Sequence, residues 1–368
     1  MTTRIQRVLR MSDLERVPSI DLPKCLLGPF LTSELAGIGG RIKQGPEDFI
    51  VEEIPVYQPC GDGEHLFLWL EKVDVDNDRL LRHLSSSLGI PQRDIGLAGQ
   101  KDRVARTTQF VSVPTACHEK LAAVDTDSIR ILDAIPHGNK LKSGHLAGNR
   151  FEVTIRDVAN GAFQQCTRIV DDIRILGFPN YFGIQRFGRG GGTVKRGLEL
   201  LNSPKNKRSR LDRRQLRLAP SAAQSLLFNQ VLACRIQQGL MHQVMQGDVM
   251  QLRTSGGGFV VEDVDAEQSR FDGRETTLTG SMFGPKMRAP QDQPQRFEAE
   301  VLERFGLCVE QFRSFPKLTR GSRRPMLEWP QDLNVVEVDN GLKLTFALRK
   351  GVYATSMLRE IMKPVDET

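Results

Sequence analysis

Runs of apolar residues predict strands in several parts of the chain. Apolar and polar residues alternate over 151–156 and 342–348, which gives each segment one apolar and one polar face. Residues 49–54 form a further short strand after a Gly-Pro turn. Residues 65–71 are apolar almost throughout, a pattern typical of a strand that is buried on both faces.

Other segments show helical spacing or helix-end signals. Leu80, Leu84 and Leu88 share one side of a helix over 77–88, which Gly89 would end. Further helices are predicted over 163–176, 221–239 and 353–362, and the second of these three would begin with a capping box at Ser221. The chain therefore contains both strands and helices.

Length and composition are those of an ordinary globular protein. The 368 residues suggest two or three domains, and no apolar run approaches the roughly 20 residues of a membrane helix. The cysteines lack C-x-x-C spacing and the histidines lack an H-E-x-x-H pattern, so we predict reduced thiols and no metal site. The basic N-terminal residues lack a long apolar core, so we interpret 1–35 as an extension and expect a cytoplasmic protein.

Positive charge is concentrated near the middle of the chain. The net charge is +6 with a pI of about 9.0, and the most basic stretch is 205–217, after a segment rich in aromatics, glycine and arginine at 178–192. Cations and planar side chains together suit RNA, although a solvated helix face explains the basic stretch equally well. The candidate RNA-binding residues are Arg186, Arg189, Lys205, Lys207, Arg208 and Arg210.

The segment 96–109 carries a charged pair into a strand. Lys101 and Asp102 lie among small residues, directly before the apolar run 110–113. Asp102 could be a turn or capping carboxylate, or it could take part in chemistry, and the local pattern leaves both readings open. No Gly-Lys-Ser/Thr follows the glycines at 188–192, so a phosphate-binding loop is not predicted there.

Several short motifs, each present once, follow one another along the chain. They are Pro46-Glu47-Asp48-Phe49, Gly99-Gln100-Lys101-Asp102-Arg103, Gly148-Asn149-Arg150-Phe151, Asn180-Tyr181-Phe182-Gly183-Ile184-Gln185-Arg186-Phe187-Gly188, and Ala354-Thr355-Ser356 with Arg359-Glu360. Read together, they resemble the TruD family of tRNA pseudouridine synthases. The resemblance extends from about residue 40 to the last helix.

The resemblance implies an enzyme that converts a uridine of tRNA, typically uridine-13 in the D arm, to pseudouridine. No cofactor and no metal are expected, and we expect a monomer whose partner is tRNA and which binds neither a membrane nor a nucleotide cofactor. Asp102 corresponds to the catalytic carboxylate. Lys43 matches the basic residue that would keep Asp102 ionised, and Lys101 is a second candidate for that task.

Substrate contacts implied by the resemblance are Phe49, Asn149, Phe151 and Tyr353. On local pattern alone the three aromatics are more typical of a core, and Asn149 of a turn. Phe151 has no hydroxyl, so it could stack on a base but could not move protons. At the position of Tyr353 the family has Phe, so the aromatic ring is kept and a hydroxyl is added. The target base would have to flip out of folded tRNA at a cost of about a few kcal/mol.

The fold implied is a mixed α/β (α+β) architecture in which a largely antiparallel sheet carries helices. The catalytic domain would be split into 36–177 and 330–368, with a family-specific α/β domain inserted at 178–329 and a cleft between them. A non-catalytic RNA-binding protein on the same scaffold is the main alternative, and the intact Lys101-Asp102 motif argues against it. A nuclease would need acidic metal-binding clusters, which the sequence lacks.

Overall fold

The computed structural model describes residues 25–202 and 212–364. Backbone contacts divide these residues into two compact units, one of residues 32–178 and 329–364 and the other of residues 25–31, 179–202 and 212–328. The chain passes from the first unit to the second at the end of residue 178 and returns after residue 328. Each unit contains a sheet of its own.

Strands and helices alternate along much of the chain. The strands are β1 Gly39–Arg41, β2 Phe49–Pro55, β3 His65–Val73, β4 Gly96–Leu97, β5 Arg106–Pro114, β6 Ile129–His137, β7 Leu146–Val158, β8 Phe178–Pro179, β9 Val249–Leu252, β10 Gly258–Val260, β11 Thr276–Met282, β12 Ser322–Pro325, β13 Leu327–Glu328, β14 Gln331–Val338 and β15 Gly341–Arg349. The α-helices are α1 Asn77–Leu88, α2 Ala162–Leu176, α3 Gly192–Asn202, α4 Arg213–Gln237, α5 Val264–Asp272, α6 Asp292–Arg304, α7 Val309–Phe312 and α8 Ala354–Met362. The strands predicted over 49–54, 65–71, 151–156 and 342–348 are confirmed as parts of β2, β3, β7 and β15.

The larger sheet has the strand order β14-β15-β7-β2-β5-β3-β6, with β1 on β7 and β4 on β5. The β2–β5 pair is parallel, and the other pairs of this sheet are antiparallel. The predicted fold class, a mixed and largely antiparallel sheet with helices, is confirmed. Helix α1 has the predicted bounds because Asp76 accepts a hydrogen bond from the Arg79 N–H and Gly89, with a φ of 68°, ends it.

One face of this sheet carries two apolar clusters with their helices. The first contains residues of β2, β7 and β15 packed on α2 and α8, including Val51, Val153 and Met357. The second contains residues of β3 and β5 packed on α1, including Leu70 and Val111. Side chains at alternate strand positions share a face, so the strand register places both clusters on the same side.

Polar side chains fill the gap between the two clusters. Glu53 of β2 is paired with Asn149 of β7, and Gln109 of β5 is paired with Leu70 of β3. Strands β2 and β5 are parallel, and Glu52 lies opposite Thr108. The next residues, Glu53 and Gln109, therefore also lie opposite each other. We call Gln109, Glu53 and Asn149 the polar row.

The second unit has a four-stranded sheet, β10-β9-β11-β12, and the long helix α4. The prediction that this helix begins at Ser221 is wrong. It begins at Arg213, because the Asp212 carboxylate accepts from the Gln215 N–H and caps the first turn. Pro220 lies inside the helix without ending it.

Residues 25–31, which the sequence suggested were part of an extension, pack against this helix. The carbonyls of Cys25 and Leu26 accept from the side-chain amides of Gln230 and Asn229 at 2.6 and 2.8 Å. None of the described helices has both the length and the apolar character needed to cross a membrane.

Candidate active site

Two aromatic rings of the predicted site meet at the edge of the polar row. The β2–β7 register pairs Val51 with Phe151, so Phe49, two residues earlier, points to the same face as Phe151. The Phe49 and Phe151 rings meet edge to face with centroids 6.1 Å apart. Both are buried, and Phe346 stacks on Phe151 at 5.1 Å. Their contact with a substrate base stays a prediction.

Lys43 lies between the Phe49 ring and the carboxylate of Asp102. Its Nζ donates to Asp102 Oδ2 at 3.0 Å and is 4.3 Å from the centre of the Phe49 ring. Its backbone φ is 59°, a left-handed conformation that costs energy for a residue with a Cβ and persists where the surroundings enforce it. The ring and the carboxylate together hold this ammonium in place.

Asp102 lies in the loop between β4 and β5, and its side chain is 44% exposed. An accessible carboxylate with a cation fixed at one oxygen can attack a carbon, stabilise positive charge or take a proton. The structure brings Lys43 and Asp102 together, and their chemical roles stay predictions. Among residues 25–202 and 212–364, no three His, Cys, Asp or Glu side chains are grouped so that they could hold a metal ion.

Lys101, the sequence neighbour of Asp102, faces the polar row instead. Its Nζ donates to Glu53 Oε2 at 2.8 Å and to Asn149 Oδ1 at 2.7 Å. The two charged side chains are only 3% and 1% exposed. The Asp102 loop is therefore anchored to the sheet through the residue that precedes the carboxylate.

The bond to Lys101 also settles the orientation of the Asn149 amide. A lysine ammonium has only donors, so the Asn149 atom that faces it must be the oxygen. The Asn149 Nδ2 group consequently points away from Lys101 and can donate to an acceptor elsewhere. A pyrimidine carbonyl is such an acceptor.

Tyr353 differs from the buried phenylalanines because it is partly exposed to solvent. The residue is 40% exposed and stands immediately before α8, where its carbonyl accepts from the Ser356 N–H. It follows β15, whose Leu348 is paired with Asn149. Tyr353 thus follows the strand that flanks Asn149, with a ring that an incoming base could reach.

Two of the predicted RNA-binding residues, Arg186 and Arg189, belong to the other unit. Arg186 donates to Ser221 Oγ at 2.6 Å and to Ser225 Oγ at 3.4 Å. Arg189 is exposed and lines a surface cavity of about 440 Å³ together with Arg196. The other four residues, Lys205, Lys207, Arg208 and Arg210, lie outside the described residues.

The long Asn180–Gly188 motif makes its polar contacts within its own unit. The Asn180 side chain donates to the Pro325 carbonyl at 3.0 Å and accepts from Arg324 at 2.6 Å. The Phe182 main chain exchanges two hydrogen bonds with the Asn229 amide, at 2.9 and 3.0 Å. This string of residues therefore ties the chain to β12 and α4.

Two residues that hold the site together were missed from the sequence. Glu53 follows Phe49 and Val51 at alternate positions, so the pattern already placed a carboxylate on an apolar face. Asp48, within the first motif, is buried and accepts from Arg156 at 3.0 and 2.7 Å. That pair holds the turn from which Phe49 enters the sheet.

Comparisons with known proteins agree over nearly the whole chain. The family model described as tRNA pseudouridine synthase D (TruD) matches residues 28–204 and 198–361. A tRNA pseudouridine synthase D of Thermus thermophilus is 42% identical over 91% of this chain and 92% of its own length, and one of Anaeromyxobacter dehalogenans is 37% identical over 91% and 96%. A solved structure described as a putative TruD from Methanosarcina mazei superposes with a TM-score of 0.76 at 25% identity, covering 96% of this chain and 99% of that one.

Proposed function

Because this chain belongs to the tRNA pseudouridine synthase D (TruD) family, we propose that it converts uridine-13 of tRNA to pseudouridine with Asp102 as the catalytic carboxylate. The single observation that carries the assignment of Asp102 is its half-exposed carboxylate bonded to the Lys43 ammonium at 3.0 Å. The pair stands at one end of a sheet face lined by aromatics. It combines accessibility with a fixed opposite charge.

The reaction is an isomerisation and needs no external reactant. The bond from uracil N1 to the sugar C1′ breaks, the base turns, and a bond forms between C5 and C1′. C5 loses a proton and N1 gains one, so atoms and electrons balance. Positive charge develops near C1′ when the first bond breaks, and a carboxylate held there can attack C1′, stabilise that charge or remove a sugar proton.

Lys43 supports each of these roles for Asp102. An ammonium 3.0 Å from one carboxylate oxygen attracts that oxygen and fixes its position. The left-handed backbone of Lys43 and the ring of Phe49 restrict where that ammonium can lie. A pre-positioned charge of this kind does not have to reorganise during the reaction.

The base would be held by Asn149, Phe151 and Tyr353. The Asn149 Nδ2 group, which Lys101 orients through Oδ1, supplies a donor for a uracil carbonyl. Tyr353 supplies an exposed ring on which the base can stack. Phe49, covered by Lys43, forms the wall behind the ion pair and would meet the base only at its edge.

Asp102→Asn tests the assignment because it keeps the shape of the side chain and removes its charge. A carbodiimide primer-extension map of tRNA from a strain that lacks the gene would be compared with and without parent and variant protein. We expect the parent to restore the stop that reports pseudouridine at position 13, and the variant to bind tRNA and melt like the parent without restoring it. Near-normal turnover by Asp102→Asn would show that the carboxylate assignment is wrong, and a stop at another position would refute uridine-13 alone.

A further inference from the structure

Lys72 is a fully buried lysine directly beneath the Asp102 loop. It lies near the end of β3 on the face that carries α1, with 0% of its surface exposed. Its Nζ donates to the main-chain carbonyl of Val75 at 2.5 Å and to that of Asp102 at 2.9 Å. Among residues 25–202 and 212–364, no carboxylate oxygen lies within 4.0 Å of this ammonium, the distance limit for an ion pair.

Such a placement is costly for stability. A buried ammonium without a carboxylate partner loses hydration that two carbonyls replace only in part. Burial, together with a smaller repulsion from Lys101, lowers the pKa of Lys72 to about 8. The negative charges of Asp102, Asp76 and Asp74 oppose this shift only in part. An apolar side chain of similar length would fill this position at lower cost in stability. Stability therefore does not explain why an ammonium is buried here.

The loop that contains Asp102 has little main-chain support of its own. Residues 100–105 form neither helix nor strand, and the Ala105 N–H bonds within the loop to the Arg103 carbonyl at 2.8 Å. From outside the loop, the Asp74 N–H donates to the Ala105 carbonyl at 3.2 Å, and side chains provide the anchors around Asp102 itself. Lys101 fixes the residue before Asp102, Lys72 holds the Asp102 carbonyl, and Lys43 holds the Asp102 carboxylate.

We propose that Lys72 is a positioning residue for Asp102, which it holds through the main-chain carbonyl so that the carboxylate faces the sugar of the substrate. The inference rests on the proposed function. Fixing the carbonyl limits rotation about the backbone bonds on either side of the Asp102 Cα, and this rotation would swing the carboxylate. Misplacement of a reacting group by about 1 Å can cost about 100-fold in rate.

Lys72→Met separates positioning from packing, because it keeps most of the side-chain length and removes the donors. Single-turnover rates with enzyme in excess, tRNA dissociation constants and melting temperatures would be measured for parent and variant. Lys343→Met is the matched control, because Lys343 lies on the same sheet and pairs with Glu152 at the surface. For Lys72→Met we expect a rate loss of about 100-fold, unchanged tRNA affinity and no fall in melting temperature.

The pH profile gives a readout that a purely structural role would not move. In the parent, the rate should fall as pH rises through the pKa of Lys72 near 8, because the group that faces Asp74, Asp76, Asp102 and Lys101 then becomes a neutral amine. A neutral amine donates weaker hydrogen bonds to the two carbonyls than the ammonium does. In Lys72→Met this limb should be absent. A parent profile that is flat through this range, or one that the variant retains, would overturn the proposal.

Each remaining outcome has a defined meaning. A parent protein that forms no pseudouridine refutes the proposed function, and the role of Lys72 fails with it. An active parent with an equally active Lys72→Met refutes the positioning role alone. If Lys72→Met does not fold, Lys72→Leu, which also lacks donors, is measured in its place, and normal rates in that variant, or unfolding of both, would overturn the proposal.

Discussion

Removal of the Lys101 ammonium should destabilise the protein by leaving a carboxylate buried without its cation. Lys101→Met retains most of the side-chain volume, and Glu53 stays 1% exposed. Breaking a buried ion pair by removing one partner costs about 3–5 kcal/mol. The Glu53 Oε1 atom keeps its bond from the Phe110 N–H at 3.4 Å, so we expect a loss near the lower end. In a unit of about 150–250 residues each kcal/mol corresponds to about 2–4 °C, so the melting temperature should fall by about 10 °C.

A double-mutant cycle distinguishes this cause from a simple packing defect. Thermal melts by circular dichroism would be compared for the parent, Lys101→Met, Glu53→Gln and the double variant. Neutralising Glu53 removes the stranded charge, so the double variant should be more stable than Lys101→Met. Lys343→Met serves as the control for losing a lysine, because its partly exposed pair with Glu152 contributes no more than about 1 kcal/mol.

Two results would refute this expectation. If Lys101→Met melts with the parent, the Lys101–Glu53 pair does not anchor the loop. If the effects of the two single substitutions simply add, the two side chains do not interact in the folded state.

Three further substitutions test other parts of the site. Lys43→Met should lower the single-turnover rate by about 10²–10³-fold with little change in tRNA affinity, and equal rates would remove Lys43 from the mechanism. Asn149→Asp keeps an acceptor for Lys101 but loses the Nδ2 donor, so kcat/KM measured by tritium release from uracil C5 should fall while the melting temperature holds. Because burial lowers the pKa of Lys72 from 10.5 to about 8, the unfolded chain binds the extra proton between these values. The free energy of unfolding of the parent should therefore rise relative to Lys72→Met by up to about 3 kcal/mol as pH increases from 8 to 10.5, measured by urea unfolding.

Elements with signals at both ends were predictable from the sequence. The segment 77–88 has leucines four residues apart and Gly89 at its end, and in the folded chain these leucines are buried and Gly89 ends the helix. The start of α4 was missed because the true cap, Asp212, lies in a basic stretch, whereas Ser221 had the pattern of a capping box. The Ser221 hydroxyl instead accepts from Arg186, a contact that depends on the fold.

The contacts within the candidate site depended on strand register and on long-range approach. The Lys43–Asp102 bond joins residues 59 positions apart, and no periodicity indicates it, although the family resemblance named both residues. Lys101 and Lys43 both remained candidates from the sequence. The β2–β7 register places Glu53 beside Asn149, and the folded loop brings Lys101 onto these two side chains instead of Asp102. Lys72 gave no signal beyond one charge at the end of an apolar strand.

The polar row interrupts what would otherwise be one continuous apolar face, and this placement has a cost. Glu53 and Gln109 are buried between two clusters that could have merged, and a buried ion pair is frequently no more stable than apolar residues of the same volume. Stability therefore does not explain why the row exists. Two of its members, Glu53 and Asn149, bind Lys101 and so anchor the irregular loop that carries Asp102 to the sheet. The ionic groups on this face are best understood as supports for the geometry of Asp102.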